Sequence, residues 1–174
     1  MTQRSDRPIV GLGPTLDTLV EAFDASAEGP RTVLLEGTDG GGRKTAIDRF
    51  LQRLGERGDP PTPVRLRGQP SDDGIKTLGR FYSSFVGAIA RGPGADAALK
   101  ALDEAAEAST DERVTGWLTG IAGSARELRA HASGQFQIKL PGDNPWLALL
   151  YAFDVLGPRG RWVIDLFELG HVTS

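Results

Sequence analysis

A glycine-rich run is the part of this chain whose residue types and spacing are best suited to chemistry. It reads Gly37-Thr38-Asp39-Gly40-Gly41-Gly42-Arg43-Lys44-Thr45. In a phosphate-binding loop, glycines let successive backbone N–H groups face a phosphate, the helix that follows adds partial positive charge, and a lysine reaches the β and γ oxygens. The run therefore predicts a nucleotide site.

The order of the cations in this run departs from the usual spacing, GxxxxGK[ST]. Gly37 and Gly42 stand the correct distance apart, but Arg43 occupies the lysine position, and Lys44 and Thr45 follow one place late. Two interpretations stay open: Lys44 reaches the phosphates through a one-residue bulge, or Arg43 takes that role. Thr45 is then the candidate Mg²⁺ ligand within the loop. The alternative is that both cations are ordinary surface residues, although cations at a helix N-terminus oppose the helix dipole unless an anion is bound.

An acidic residue near the end of the sequence is the second candidate component. The apolar run 162–164 leads into Asp165, and an acid at the end of such a strand can hold Mg²⁺ beside phosphates. The alternative is that Asp165 caps a following helix. Leu166 comes next, where many ATPases carry a second acid that orients water, so Glu168 is the substitute that the sequence offers. We therefore expect weak or absent hydrolysis.

The elements that must position these residues predict an α/β fold. A strand at 32–35 precedes the glycine run, a helix at 46–54 follows it, and further strands are predicted at 63–67 and 161–165. Strands joined by a crossover helix form a parallel sheet. A helix also precedes the first strand, with apolar residues spaced along 16–23.

A helix-rich insertion is predicted between the strand at 63–67 and Asp165. Apolar spacing and breaks indicate helices over 75–90, 95–108, from 109–112 to about 128, and 145–156. Alternation over 136–140 indicates a short strand or hairpin arm.

Composition limits the function classes. The chain has 174 residues, a net charge of −3 and no cysteine. We predict a single domain spanning residues 1–174, without general nucleic-acid binding, disulfides or thiolate catalysis. The sequence shows no signal peptide and no membrane-spanning run, so we expect the cytoplasm and no membrane association. His131 and His171 have no neighbours at zinc-site spacing, and we expect both to be structural or exposed.

Taken together, these motifs resemble the AAA-related ATPase modules of STAND-type signalling proteins. The matching residues are Val10, Gly11 and Leu16 for the box before the first helix, Gly37, Gly40 and Gly42 for the phosphate loop, and 146–156 leading into Val163-Ile164-Asp165 for the acidic strand. The chain differs from that pattern at three positions, where Leu12, Arg43 and Leu166 replace an arginine, a lysine and an acid.

The resemblance implies a three-layered P-loop fold that binds ATP or ADP with Mg²⁺ and acts as a signalling switch. It places Val10 and Gly11 against the adenine and Thr45 and Asp165 near the metal, with Asp165 and Glu168 as candidate catalytic residues. Only three strands are predicted where such cores usually have five. The chain is therefore expected to be the N-terminal part of a longer module, and its unfinished sheet edge is expected to bind a protein partner or a second copy.

Two alternatives come from other classes. The run 35–42 is similar to the phosphate loop of thymidylate kinases, which implies a nucleotide kinase, although no nucleoside-binding or lid motif follows it. The altered motifs also fit a pseudo-ATPase scaffold that keeps the fold, binds protein partners and binds no nucleotide.

Overall fold

A computed structural model of the chain describes residues 12–36, 42–67, 73–131, 140–141 and 144–167. The described residues form six α-helices and two β-strands. They divide into two compact units, Met1–Pro60 and Pro61–Ser174, and each unit is described by itself.

The first unit contains two helices that pack against each other. Helix α1 is Gly13–Ala25, a short 3₁₀ turn follows at Ser26–Glu28, and helix α2 is Arg43–Glu56. The predicted helices at 16–23 and 46–54 are confirmed. The residues buried between them are Leu19, Phe23, Ala46, Phe50 and Leu54.

Aromatic and ionic contacts fix the pairing of α1 with α2. The rings of Phe23 and Phe50 meet edge to face with their centroids 6.0 Å apart, which is a favourable aromatic geometry. At the edge of this interface, a guanidinium nitrogen of Arg53 lies 2.8 Å from a carboxylate oxygen of Asp17. Such exposed ion pairs contribute little energy but favour one alignment of the helices.

The predicted strand at 32–35 is wrong for the described structure. Residues 30–36 form no regular element, and the side chain of Leu34 is 79% exposed. The apolar run Thr32-Val33-Leu34-Leu35 suits a strand, but a strand also needs a neighbour to accept its backbone hydrogen bonds. The described residues of this unit contain no strand with which residues 32–35 could pair.

The second unit is built on a parallel pair of strands. Strand β1 is Thr62–Arg67 and strand β2 is Trp162–Phe167, and Arg65 lies opposite Asp165 in their register. Both predicted strands and their parallel pairing are confirmed. Four helices connect them, as the predicted helix-rich insertion required: α3 Gly74–Arg91, α4 Ala95–Ala108, α5 Glu112–Ala130 and α6 Pro145–Leu156.

Side-chain caps explain where three of these helices begin. Asp73 accepts a hydrogen bond from the backbone N–H of Lys76, Asp111 from that of Arg113, and Asn144 from that of Leu147. Each cap satisfies a backbone donor that the first helical turn leaves without an intrahelical partner. The predicted starts near residues 112 and 145 follow from these caps.

The core of the second unit lies between the helices and one face of the sheet. Val64 and Leu66 are buried on this face, while Pro63 and Arg65 on the opposite face are exposed. The backbone N–H of Arg65 donates to the Ser84 hydroxyl of α3, 3.1 Å away, and this bond occupies the edge of β1 that faces away from β2.

The α/β class is therefore confirmed, with a mostly helical content and a two-stranded parallel sheet. The three-layered P-loop arrangement and the single domain stay predictions. The predicted element at 136–140 falls mainly outside the described residues. No helix in the described part of the chain combines the length and apolar character that crossing a membrane requires.

Candidate functional site

The structure describes one part of the candidate phosphate site, the start of α2. Gly42 is the residue before the helix, and its φ of +81° lies in the left-handed region that glycine adopts without strain. Arg43 is the first helical residue, and the first recorded helical bond runs from the N–H of Ala46 to the carbonyl of Gly42 at 2.8 Å. The sequence thus ends its glycine run where the backbone must turn into a helix.

The first turn of α2 carries positive rather than negative character. Its leading N–H groups have no intrahelical carbonyl to bond, and the residue before the helix, Gly42, has no side chain to cap them. No acidic residue occurs in this turn, whereas Arg43 and Lys44 both do. Helix N-termini attract anions through these N–H groups and the helix dipole. The arrangement is therefore chemically suited to an anionic ligand.

The side chains of the first turn differ in how free they are to reach a ligand. Lys44 is exposed, and the ion pairs recorded among the described residues do not include it. Arg43 and Thr45 are half-buried, and Arg43 makes contacts of its own within the structure. Of the two registers that the sequence leaves open, these environments favour Lys44 as the mobile cation.

The rest of the predicted nucleotide-binding set lies outside the described residues. Two groups of residues are concerned. The residues of the glycine run are Gly37, Thr38, Asp39, Gly40 and Gly41, and the residues predicted to contact adenine are Val10 and Gly11. Gly42, Arg43, Lys44 and Thr45 are the part of the predicted loop that the structure places.

Asp165 is described in the second unit, and strand β2 continues beyond it. The prediction that the strand ends in this carboxylate is wrong by two residues, because the ladder with β1 extends to Phe167. The Asp165 side chain is 19% exposed, and its carboxylate lies 3.7 Å from the Nε of Arg65 on the neighbouring strand. Opposite charges side by side on one sheet face stabilise strand pairing. Pairing with Arg65 is thus a structural role that the sequence alone did not reveal.

The surroundings of Asp165 bear on catalysis and on metal binding. Leu166 is 55% exposed and cannot orient water, while Glu168 lies outside the described residues. A group of three or more acidic or histidine side chains able to hold a metal is not found in the described ranges. Thr45 and Asp165, the predicted metal ligands, belong to different compact units.

His131 has a local role at the end of α5. Its Nδ1 atom lies 3.0 Å from the carbonyl oxygen of Glu127, one turn earlier in the helix. A side chain that bonds a last-turn carbonyl acts as a helix end group. This contact agrees with the structural role that we predicted for His131, while His171 falls outside the described residues.

A charged groove between α4 and α5 escaped the sequence reasoning. Arg126 bonds Asp103, and Arg129 bonds Asp96, across the two helices. The bonded Arg129 lowers the pKa of Asp96 below its usual value. Because Arg126 and Arg129 pair with acids of the neighbouring helix, these ion pairs join α4 and α5. The sequence signal for this pairing was the spacing of Arg126 and Arg129, which lie three residues apart on α5.

A second overlooked feature is the outer face of α6. The helix carries apolar residues all round, among them Trp146, Leu149, Leu150 and Leu156. The structure buries only Leu149 and Leu156 of these four. A helix that is apolar all round needs cover on more than one side. The number of apolar residues in α6, larger than one buried side requires, was the sequence signal for this exposed face.

Comparison of the chain with protein-family models, with curated proteins and with solved structures gave no match.

Proposed function

We propose that the chain is an ATP- or ADP-binding switch module related to AAA and STAND ATPases, with weak or absent hydrolysis. The observation that carries this proposal is the start of α2, where Gly42 in the left-handed region leads directly into a cation-bearing helical turn. Preceded by a glycine-rich run in sequence, this is the arrangement that holds a phosphate group.

The roles of the residues follow from this proposal. Backbone N–H groups of the glycine run and of the α2 start would hold the phosphates, and Lys44 or Arg43 would neutralise the β and γ charge. Thr45 is the candidate Mg²⁺ ligand at the start of α2, and Asp165 is a separate candidate ligand on β2. The metal would supply charge neutralisation to the phosphates, and the protein's part would be to bind and orient them.

Calorimetric titration with ATP and with ADP, each with and without Mg²⁺, tests the proposal. We expect binding in the micromolar range or weaker, at most about 8 kcal/mol, because backbone amides provide contacts even where the lysine is displaced. Absence of heat, together with an unchanged melting temperature at saturating Mg-ATP, would refute nucleotide binding. Tight binding of thymidine monophosphate would instead support the kinase alternative.

A pseudo-ATPase scaffold is the second candidate, and the Arg65–Asp165 ion pair favours it. If Asp165 serves only to pair the strands, Asp165→Asn and Arg65→Ala should lower the melting temperature alike and leave nucleotide affinity unchanged. If Asp165 binds Mg²⁺, Asp165→Asn should weaken Mg-ATP binding without weakening metal-free ATP binding, and Arg65→Ala should not. Measuring both variants distinguishes the two functions.

A further inference from the structure

Helix α6 carries a continuous apolar surface on its outer side. The surface consists of Trp146, Leu147, Leu150 and Tyr151, which are 55%, 40%, 63% and 42% exposed. Their spacing, two pairs four residues apart, places all four on one side of the helix. Single exposed apolar residues are common, but a contiguous set of this kind marks an interaction site.

The opposite side of α6 already completes the core of the second unit. Ala148, Leu149, Ala152 and Leu156 are at most 2% exposed there. Tyr151 is held at the border between the two sides, since its ring centroid lies 5.9 Å from that of the buried Trp117 on α5. The outer surface is therefore a second, separate apolar side of a helix whose position is fixed.

The charges along α6 indicate what this outer surface fits. Asp154 lies on the same outer side, in the last turn, where no basic residue accompanies it. An acid at the C-terminal end opposes the helix dipole. The first turn, at Pro145, contains no acid and has the partial positive charge of an N-terminus. The outer side of α6 thus has a formal negative charge in its last turn and none in its first turn.

We propose that this surface binds the same surface of a second copy of the chain, with the two α6 helices antiparallel. A two-fold axis near Leu150 brings the Leu150 side chains of both copies together. It also places Asp154, four residues later, beside Trp146, four residues earlier, on the partner helix. The acid then lies near the positive end of the partner helix, and the Trp146 indole N–H can donate to its carboxylate.

The antiparallel orientation follows from the charges. A parallel pair would bring the two Asp154 carboxylates together at the ends where both dipoles are already negative, which is unfavourable. A closed two-fold pair also covers the same apolar residues on both copies at once. One helix side is smaller than a standard stable interface, so we expect a dimer that dissociates on dilution. This interface is independent of nucleotide binding.

Cysteine cross-linking tests the geometry directly, because the natural chain contains no cysteine. Leu150→Cys should form a covalent dimer on mild oxidation or with a short bis-maleimide. Trp146→Cys mixed with Asp154→Cys should cross-link to each other, while Trp146→Cys alone should not. Self-linking of Trp146→Cys with no mixed product would show a parallel pair and overturn the proposal.

Sedimentation over a concentration series tests the energetics with a matched control. Leu150→Glu should raise the dimer dissociation constant at least tenfold. Ile75→Glu, at an apolar position of α3 that is 75% exposed, should leave it unchanged. Circular dichroism confirms that both variants stay folded. A wild-type chain that is monomeric at all concentrations would overturn the proposal, as would equal effects of the two variants.

Association through the sheet is the competing route, since Ile164 and Leu166 of β2 are also exposed. Leu166→Lys should not change the dissociation constant if α6 forms the interface. Loss of the dimer in Leu166→Lys with retention in Leu150→Glu would assign the contact to the sheet and refute the α6 interface. Asp154→Asn should weaken the dimer severalfold, and a tighter dimer in that variant would contradict the charge argument.

Discussion

At the scale of single residues, the two cations that begin α2 define the most direct test of the proposed phosphate site. Lys44 is exposed, whereas Arg43 is half-buried and has contacts within the fold. A flexible lysine with a free ammonium group can follow a phosphate, while an arginine that is already engaged gives up those contacts to do so. The environments of Lys44 and Arg43 therefore predict which substitution weakens nucleotide binding more, whereas the sequence alone does not.

We expect Lys44→Ala to weaken ATP binding by about 1.5–3 kcal/mol, the value of a charge-assisted hydrogen bond, and Arg43→Ala to weaken it less. Calorimetry on both variants measures the ranking. Arg49→Ala is the control, because Arg49 lies on the same helix and bonds Gln52 at 3.1 Å. A larger effect of Arg43→Ala would assign the lysine role to Arg43. Negligible effects of both would mean that neither cation contacts a nucleotide.

Tyr82 makes the stability of the second unit sensitive to alkaline pH. The residue is 1% exposed, and burial raises the pKa of its phenol from 10.0 to about 12, an effect that the Ser124 hydroxyl partly opposes. The unfolded chain therefore loses this proton first as pH rises. The stabilisation is complete below about pH 10 and is lost between about pH 10 and 12, at about 1.4 kcal/mol for each unit of pKa shift.

Tyrosinate absorbance measures this titration. The chain has two tyrosines, and Tyr82→Phe should remove a late phase that coincides with alkaline unfolding. The free energy of unfolding of Tyr82→Phe should fall less steeply between pH 10 and 12 than that of the natural chain. Titration of Tyr82 near pH 10 in the folded protein would contradict the burial argument.

At the scale of elements, the junction between α3 and β1 is packed too closely for a side chain at Gly92. A Cβ atom there would lie 2.5 Å from the carbonyl oxygen of Ala88 and 2.9 Å from the Cγ2 of Thr62. We expect Gly92→Ala to destabilise the fold by about 1–3 kcal/mol, because the helix end or the strand must shift. Urea unfolding at constant m-value measures the change.

Gly79→Ala is the matched control for this substitution. Gly79 also belongs to α3, but a Cβ atom there meets nothing within 4 Å. Replacement of a helical glycine should stabilise the protein by about 0.5–1 kcal/mol. A Gly92→Ala variant as stable as the natural chain would show that the junction relaxes without cost.

The elements of this chain were more predictable from sequence than their assembly. Helix α6 was predicted over 145–156 from apolar spacing and the breaks on either side, and the structure places it at Pro145–Leu156. The run 32–35 has equally clear strand character, yet it forms no strand in the described structure. Helix ends depend on bonds within a few residues, whereas a strand depends on a partner strand that is often far away in sequence.

The candidate site was predictable to a similar extent. The glycine run leads into a helix as the sequence predicts, although the helix begins at Arg43 rather than at residue 46. The ion pair of Asp165 with Arg65 joins residues a hundred positions apart, and no local pattern indicates which strands will be neighbours. The same limit explains why the apolar outer side of α6 was not separated from its buried side.

At the scale of the whole molecule, the altered motifs predict that the chain turns over ATP very slowly. Leu166 follows Asp165 and cannot orient water. Removal of one electrostatic stabiliser commonly lowers turnover by about 10²-fold or more. We expect phosphate release by the intact chain at saturating Mg-ATP to be barely detectable. Steady turnover that Asp165→Asn abolishes would show that Glu168 or another acid replaces the missing one.

A gain of activity is the sharper form of this prediction. Leu166 is 55% exposed, so Leu166→Glu should fold normally while it supplies an acid directly after Asp165. We expect this variant to release phosphate faster than the natural chain, and Leu166→Gln, which lacks the charge, to stay at the natural rate. Equal rates in all three proteins, despite measurable ATP binding, would mean that Asp165 does not lie beside the bound phosphates. In that case the chain would hold its nucleotide as a switch without the catalytic use of β2.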